Sequence, residues 1–171
     1  MIRAATVDDF PRLAEMGSKF MASSRYGDFL PTTPKMLEAL LAVITEVGVV
    51  LVCERVTLKV PQLSYPGRAP IIAATEEHPA IGSDHNLVGM IALVALPHPM
   101  TGEVYVEEMA WWVEPDHRGS VGPRLHIAGE EWAKAKGISL MRMLSPAGSD
   151  LGIYYGRRGY VEVETAWVKR L

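Results

Sequence analysis

Cysteine is almost absent. Cys53 stands alone, which excludes an intramolecular disulfide and a zinc cage built on several thiolates. It lies in the apolar run Val49-Val50-Leu51-Val52-Cys53, where a thiol reads as a small buried hydrophobe rather than a nucleophile. Histidine is sparse as well: the five, at 78, 85, 98, 117 and 126, show no metal-ligand spacing, so no metal site is expected. No apolar stretch approaches the length of a membrane span, and the opening Met1-Ile2-Arg3-Ala4-Ala5 lacks the apolar core of a secretory signal. A soluble, cytoplasmic protein that binds no membrane is the expectation. Neither sign of charge dominates, since 17 Lys and Arg against 20 Asp and Glu give a formal net charge of -3, mixed along the chain. That balance gives no reason to expect a nucleic-acid partner. Internal repeats and low-complexity tracts are lacking too. What is present, 49% hydrophobic and 22% charged residues over 171 positions, suits one globular domain with a substantial core.

The order of elements reads as mixed α/β. Residues 2–6 form a short strand candidate, and Thr6 with Asp9 three residues on is a helix-start signal. Phe10, Leu13, Met16, Phe20 and Met21 then recur at helical spacing, so one face of this helix should pack on a sheet. Thr33-Pro34 repeats the start signal, and Leu37, Leu40, Leu41 and Ile44 supply a second apolar stripe that Gly48 stops. Residues 49–55 read as a buried strand. Residues 56–86, with Pro61, Pro66, Gly67, Pro70, Pro79 and Gly82, read as a long insertion between strands. A hairpin between residues 58–60 and 71–73 is one arrangement open to it. Residues 87–96 and 104–113 make an antiparallel pair joined by a turn over 97–102. Val121, Leu125, Ala128, Trp132 and Ala135 then share one helical face that ends at Gly137. A strand over 138–144, a short helix over 150–158 and a final strand over 160–168 complete the expected order.

Chemistry concentrates after residue 104. A strand ends at Val113 and runs through Glu114-Pro115-Asp116-His117 into Arg118-Gly119-Ser120-Val121-Gly122-Pro123-Arg124. Small residues after an Arg leave backbone N–H groups uncovered at a helix start, where the helix dipole also favours an anion. The loop has the form of a phosphate cradle. Such glycine spacing also closes ordinary loops, but its company narrows the reading. The V-x-P-x-x-R-G pattern, the helix with Glu130-Glu131-Trp132, and the later Ile153-Tyr154-Tyr155-Gly156-Arg157-Arg158-Gly159-Tyr160-Val161 occur in one order. Together they resemble the GNAT superfamily of N-acetyltransferases. The loop departs from that family's pattern. Counted from Arg118, the two small positions fall on Val121 and Pro123. Aligned on Glu130-Glu131-Trp132, the loop is one residue short and they fall on Ser120 and Gly122. The second alignment is preferred, because Pro123 then sits in the first helical turn, where a missing N–H costs little.

The resemblance implies a mixed, mainly antiparallel central sheet flanked by helices, with splayed central strands. It also implies acetyl-CoA as co-substrate and direct attack by a primary amine of a small molecule or protein in a ternary complex. Arg118, Gly119, Ser120, Val121, Gly122 and Arg124 would then face the CoA phosphates, and backbone at Trp111 and Val113 would bind the pantetheine amides. Gly148 stands where the family often has an Asn that holds the pantetheine, so Ser149 or backbone would substitute. Tyr155 falls on the tyrosine that protonates the departing thiolate, whereas its neighbour Tyr154 reads as packing. Of the Trp111-Trp112 pair, one ring should enter the core and the other line a cleft or subunit contact. Glu107 and Glu108 are the candidate bases. Glu107 holds the offset of the base in histone-modifying members, while Glu108 is favoured because Met109, Trp111 and Val113 line the other face. A bulge between the two would swap them, and two solvated edge-strand charges is the plainer alternative. Glu107, Glu108, Glu162 and Glu164 could form an acidic cleft for a polycationic amine, while a protein N-terminus or lysine is equally permitted. Many members of the family are homodimers, so a homodimer is a further expectation. A second function class stays open: a catalytically weak acyl-CoA-binding or regulatory module of the same fold. A purely structural interaction protein is a third.

Overall fold

The computed structural model describes residues 1–55, 62–63, 71–72 and 86–170. In chain order the elements are β1 (Ile2–Ala4), α1 (Phe10–Ser23), α2 (Pro34–Val47), β2 (Gly48–Glu54), β3 (Gln62–Leu63), β4 (Ile71–Ile72), β5 (Leu87–Pro97), β6 (Val104–Val113), α3 (Val121–Ala135), β7 (Met141–Arg142) and α4 (Leu151–Arg157). Five strands form one open sheet in the order β1-β2-β5-β6-β7. Every pairing in it is antiparallel except β6 with β7.

Both faces of this sheet are covered, which is why β2 and β5 read as continuous apolar runs. On one face Leu13 and Met16 of α1 and Leu41 and Ile44 of α2 pack on Val50, Val52, Met90, Ala92 and Trp112. On the other, Leu125 and Ala133 of α3 pack on Val49, Leu51, Ile91, Leu93, Val106 and Val113. Cys53 is buried in that second layer. Local signals set the helix starts. Thr6 and Asp9 form a capping box ahead of α1, and Asp9 also takes both terminal nitrogens of Arg3, at 2.7 and 2.9 Å. Thr33 Oγ1 accepts from Met36 N–H, 3.3 Å, at the start of α2. Gly48 ends α2 as expected, and a Cβ there would lie 1.9 Å from the Leu93 carbonyl oxygen. Only glycine lets the chain turn from helix into strand so close to β5.

Three expectations change. Of residues 138–144, only Met141–Arg142 pair as a strand, opposite Val106 and Glu107. Residues 160–170 contain no strand, although Val161, Val163 and Trp167 alternate with polar residues. Alternation favours a strand only where a neighbour offers a ladder. Beyond Tyr160, contacts that tie the segment are Arg142 to Glu164 at 3.2 Å and Arg170 to the Asp28 and Phe29 carbonyls at 3.4 Å. Within the insertion, Ile71–Ile72 pair with Gln62–Leu63, while residues 58–60 lie outside the described residues. No helix among the described residues is long and apolar enough to cross a membrane.

Candidate functional site

The site begins with an irregularity in β6. Ala92 pairs with Ala110, but Leu93 pairs with Glu108, so Met109 is an extra residue that bulges outward and is exposed. A bulge resets which side chains share a face. Val106 and Glu108 before it lie on the same side as Trp111 and Val113 after it, toward α3 and α4. The sequence reading is corrected here in two respects. The bulge follows Glu108 rather than separating it from Glu107, and Trp111 and Val113 share the face of Glu108 rather than opposing it.

Beyond Glu107, β7 no longer pairs with β6, and the two strands part. Glu108 sits at that fork, 4% exposed, and its Oε2 accepts from Leu144 N–H at 3.0 Å. The carboxylate thus replaces a ladder partner for a chain that has left the sheet. On the far side, the Tyr155 hydroxyl donates to the Leu144 carbonyl, also at 3.0 Å. Glu108 and Tyr155 therefore meet through one residue. Burial pushes the Glu108 carboxyl up to about 7; the Leu144 N–H opposes the rise and the negative Glu107 adds to it. Tyr155 is buried, and desolvation holds its hydroxyl well above the ordinary tyrosine range, with Glu108, Tyr160 and Tyr154 adding to the rise. Glu107 is differently placed. It accepts from the Tyr105 hydroxyl at 2.9 Å and pairs with Arg142 at 3.4 Å.

The edge that β7 leaves uncovered leads to the loop. Glu114 N–H donates to Val88 O at 2.9 Å, and antiparallel alternation then turns the N–H and C=O groups of Val113 and Trp111 away from β5, toward the open edge. The loop continues from there. Gly119 has φ 102° and open space around its Cα. Ser120 caps α3 without a side-chain hydrogen bond, so the first-turn N–H groups have no acceptor within the helix. Pro123 lies in that turn, as read. Val121 opens α3 and packs on the α3-side core. Gly122 is buried, and a Cβ there would meet Trp111 Cζ2 at 3.2 Å. The Trp111 indole N–H, buried without a partner, belongs to the ring wedged there. Arg118 folds back instead of reaching over the loop: its Nε donates to Val113 O at 3.4 Å and its guanidinium lies 5.4 Å from the Trp112 ring centre. Arg124 is exposed. Ser149 is exposed too, its hydroxyl 3.0 Å from that of Ser145. Glu114, just before the loop, is gripped from α1 by Arg12 at 2.8 Å and Lys19 at 2.7 Å.

Sequence reasoning named His126, Tyr160 and Glu130 but gave none of them a role in the site. His126 is fully buried, with a tyrosine hydroxyl at each ring nitrogen. Tyr154, read as packing, supplies one of these hydroxyls. The available signal was the slot that Gly122 and Gly129 leave one turn to either side of His126 on the buried face of α3. No group of three or more His, Cys, Asp or Glu among the described residues could hold a metal ion.

With this geometry in place, comparison with known proteins adds the following. A family model described as "Acetyltransferase (GNAT) family" matches residues 54–159. Among curated proteins, none matches the chain. Solved structures do. A ribosomal-protein-alanine N-acetyltransferase from Brucella melitensis biovar Abortus 2308 superposes with TM-score 0.64 at 18% identity, covering 100% of this chain and 99% of that one. A GNAT family acetyltransferase from Staphylococcus aureus gives TM-score 0.57 at 18% identity, covering 100% and 98%. An aminoglycoside acetyltransferase from an uncultured soil metagenomic sample, in complex with sisomicin, gives 0.62 at 14% identity, covering 100% and 95%. At these identities the structures attest the shared fold.

Proposed function

The chain belongs to the acetyltransferase (GNAT) family, and from that premise we propose that it transfers the acetyl group of acetyl-CoA to a primary amine by direct attack. The observation that carries the reading is the convergence of Glu108 and Tyr155 on Leu144, where β6 and β7 part. The residues present suit the co-substrate. Outward N–H and C=O groups at Trp111 and Val113 offer amide partners to an extended pantetheine. Phosphates would meet the uncapped start of α3, with Gly119, Ser120, Val121 and Gly122 supplying close backbone. Arg118 and Arg124 flank this loop, and Ser149 is the side chain proposed to stand in for the missing Asn toward the pantetheine.

Glu108 acts as base through a water, taking the proton that an ammonium acceptor must lose before its nitrogen can attack. A carboxyl poised at about 7 is matched to that task at neutral pH. As the new C–N bond forms and the C–S bond breaks, the thiolate leaves with the electron pair and takes the Tyr155 proton, and the second proton of the attacking nitrogen restores the Tyr155 hydroxyl. The high position of the Tyr155 hydroxyl keeps it protonated until the thiolate develops. Glu107, paired with Arg142, shapes the acceptor side and is not assigned the proton. The structural neighbours are named for a ribosomal-protein alanine and for an aminoglycoside, so the acceptor here is left as a primary amine. Residues 1–171 are taken as one acyltransferase domain working in the cytoplasm as a homodimer, for which sedimentation is the test of assembly.

The alternative is an acyl-CoA-binding module. The folded-back Arg118 and the glycine at 148 favour it. Thermal unfolding with acetyl-CoA, and with ADP as control, tests the shared premise: ligand at about a hundredfold its Kd should add roughly 2.7 kcal/mol. Thiol release with a panel of amines then separates the two. An enzyme loses rate in Glu108→Gln and Tyr155→Phe while keeping acetyl-CoA binding; a module has no rate to lose.

A further inference from the structure

Both ring nitrogens of His126 are engaged, although the side chain has no exposure to solvent. Nδ1 lies 2.8 Å from the Tyr154 hydroxyl and Nε2 2.9 Å from the Tyr160 hydroxyl. The Tyr160 hydroxyl donates to Glu130 Oε1 at 3.2 Å, and Arg158 closes on the other carboxylate oxygen. With the Tyr160 hydroxyl donating to Glu130, one set of proton directions satisfies every contact. A hydroxyl has one hydrogen, so Tyr160, donating to Glu130, must accept from Nε2–H. A neutral imidazole carries one N–H, so Nδ1 is bare and accepts from the Tyr154 hydroxyl. The neutral state fits the surroundings. Desolvation holds His126 below its ordinary range; Glu130 on α3 pulls upward, Arg158 pulls further down, and the rings of Trp111, Tyr154, Tyr155 and Tyr160 pack around it.

Tyr155 stands inside this arrangement. Its ring centre lies 6.0 Å from that of His126, 5.7 Å from Tyr154, 5.7 Å from Tyr160 and 6.4 Å from Trp111. The helix that carries it has 7 residues, too few to hold itself in place in water. Its orientation must come from outside. We propose that the one-way hydrogen-bond chain from Tyr154 through His126 and Tyr160 to Glu130 makes His126 a positioning residue for Tyr155, fixing α4 against α3 so that the Tyr155 hydroxyl reaches the strand fork. The inference rests on the acetyl transfer proposed above. It assigns His126 no contact with either substrate.

The test is a double-mutant cycle on thiol release from acetyl-CoA with a panel of primary amines. His126→Leu removes the hub; Tyr154→Phe and Tyr160→Phe each remove one hydroxyl while keeping the ring, and serve if the leucine variant misfolds. Each is made in the unaltered chain and in Tyr155→Phe. If His126 acts through Tyr155, kcat falls roughly tenfold in the first background and less than about twofold in the second. KM for acetyl-CoA should stay within about twofold in both. Equal losses in the two backgrounds would show a general structural role and overturn the inference while leaving the acetyl transfer standing. Absence of thiol release from the unaltered chain with every amine overturns the acetyl transfer and the inference together. Nitrogen-15 NMR of the imidazole gives a readout apart from turnover. A neutral ring protonated on Nε2 at neutral pH, whose Nδ1 signal moves in Tyr154→Phe, supports the chain; a ring protonated on Nδ1 overturns it.

Discussion

Glu108 shows how far one residue's environment departs from what its letter suggests. A glutamate on a strand beside another glutamate reads as surface charge, yet this one is buried and its carboxyl sits at about 7. The consequence for stability has a definite sign. Between 4.5, where the carboxyl titrates in the unfolded chain, and about 7, where it titrates in the folded one, the folded state holds the extra proton. Stability therefore falls as pH rises through that window, by about 3 kcal/mol in all. Glu108→Gln keeps an acceptor for Leu144 N–H and removes the penalty. Calorimetry should find the variant more stable than the unaltered chain above pH 7 and equal to it below about 4.5, while thiol release falls roughly a hundredfold. In the unaltered chain, kcat/KM for the proposed transfer should rise with pH through an apparent pKa of about 7, and that rise should vanish in Glu108→Gln. Tyr155→Phe should slow turnover about tenfold to a hundredfold and leave acetyl-CoA binding intact, because a thiolate needs little help to leave. The place of Tyr155 on a short helix was legible because a local pattern carries it. Which of Glu107 and Glu108 faces the fork was not, since it turns on a bulge defined only against β5. His126 was still less so, with partners 28 and 34 residues away.

At the scale of elements, α3 carries both the loop and the hub. Gly119, with φ 102°, holds a backbone conformation that a residue with a side chain would adopt only under strain. Gly119→Ala should cost about 1–2 kcal/mol in thermal unfolding and raise KM for acetyl-CoA more than it lowers kcat. A Gly122→Ala change acts differently, pressing a methyl on the Trp111 ring and disturbing the open edge. Helix α2 was legible at both ends because the Thr33 cap, Pro34 and Gly48 agree locally, whereas the Thr6 start signal opens a 3-10 turn over Val7–Asp9 and α1 proper begins at Phe10. The elements after α3 were less so. Residues 138–144 look like a strand throughout, but only two find a partner before Glu108 takes over the hydrogen bond. Residues 160–170 have the strand pattern and no neighbour. Strand pattern states what a segment can pair with, whereas pairing depends on a partner elsewhere in the chain.

The whole molecule is a sheet packed on both faces, with the proposed site where that packing fails at one edge. The last residues add little to it. Val161, Val163 and Trp167 are 81%, 77% and 93% exposed, so ending the chain after Val161 should move Tm by less than about 4 °C, whereas removing Tyr160 as well should cost more. Met109 has the opposite leverage. It is exposed and unpaired in the sheet, yet it is the reason that β6 has even parity on one side of the bulge and odd parity on the other. Excising this one residue would restore a uniform pleat and invert everything before it. Val106 and Glu108 would turn toward α1 and α2, and Tyr105 and Glu107 would be driven in among the tyrosines of α4. The location of the chemistry thus depends on a count: a strand one residue shorter would keep every proposed catalytic side chain and present the wrong glutamate to the fork.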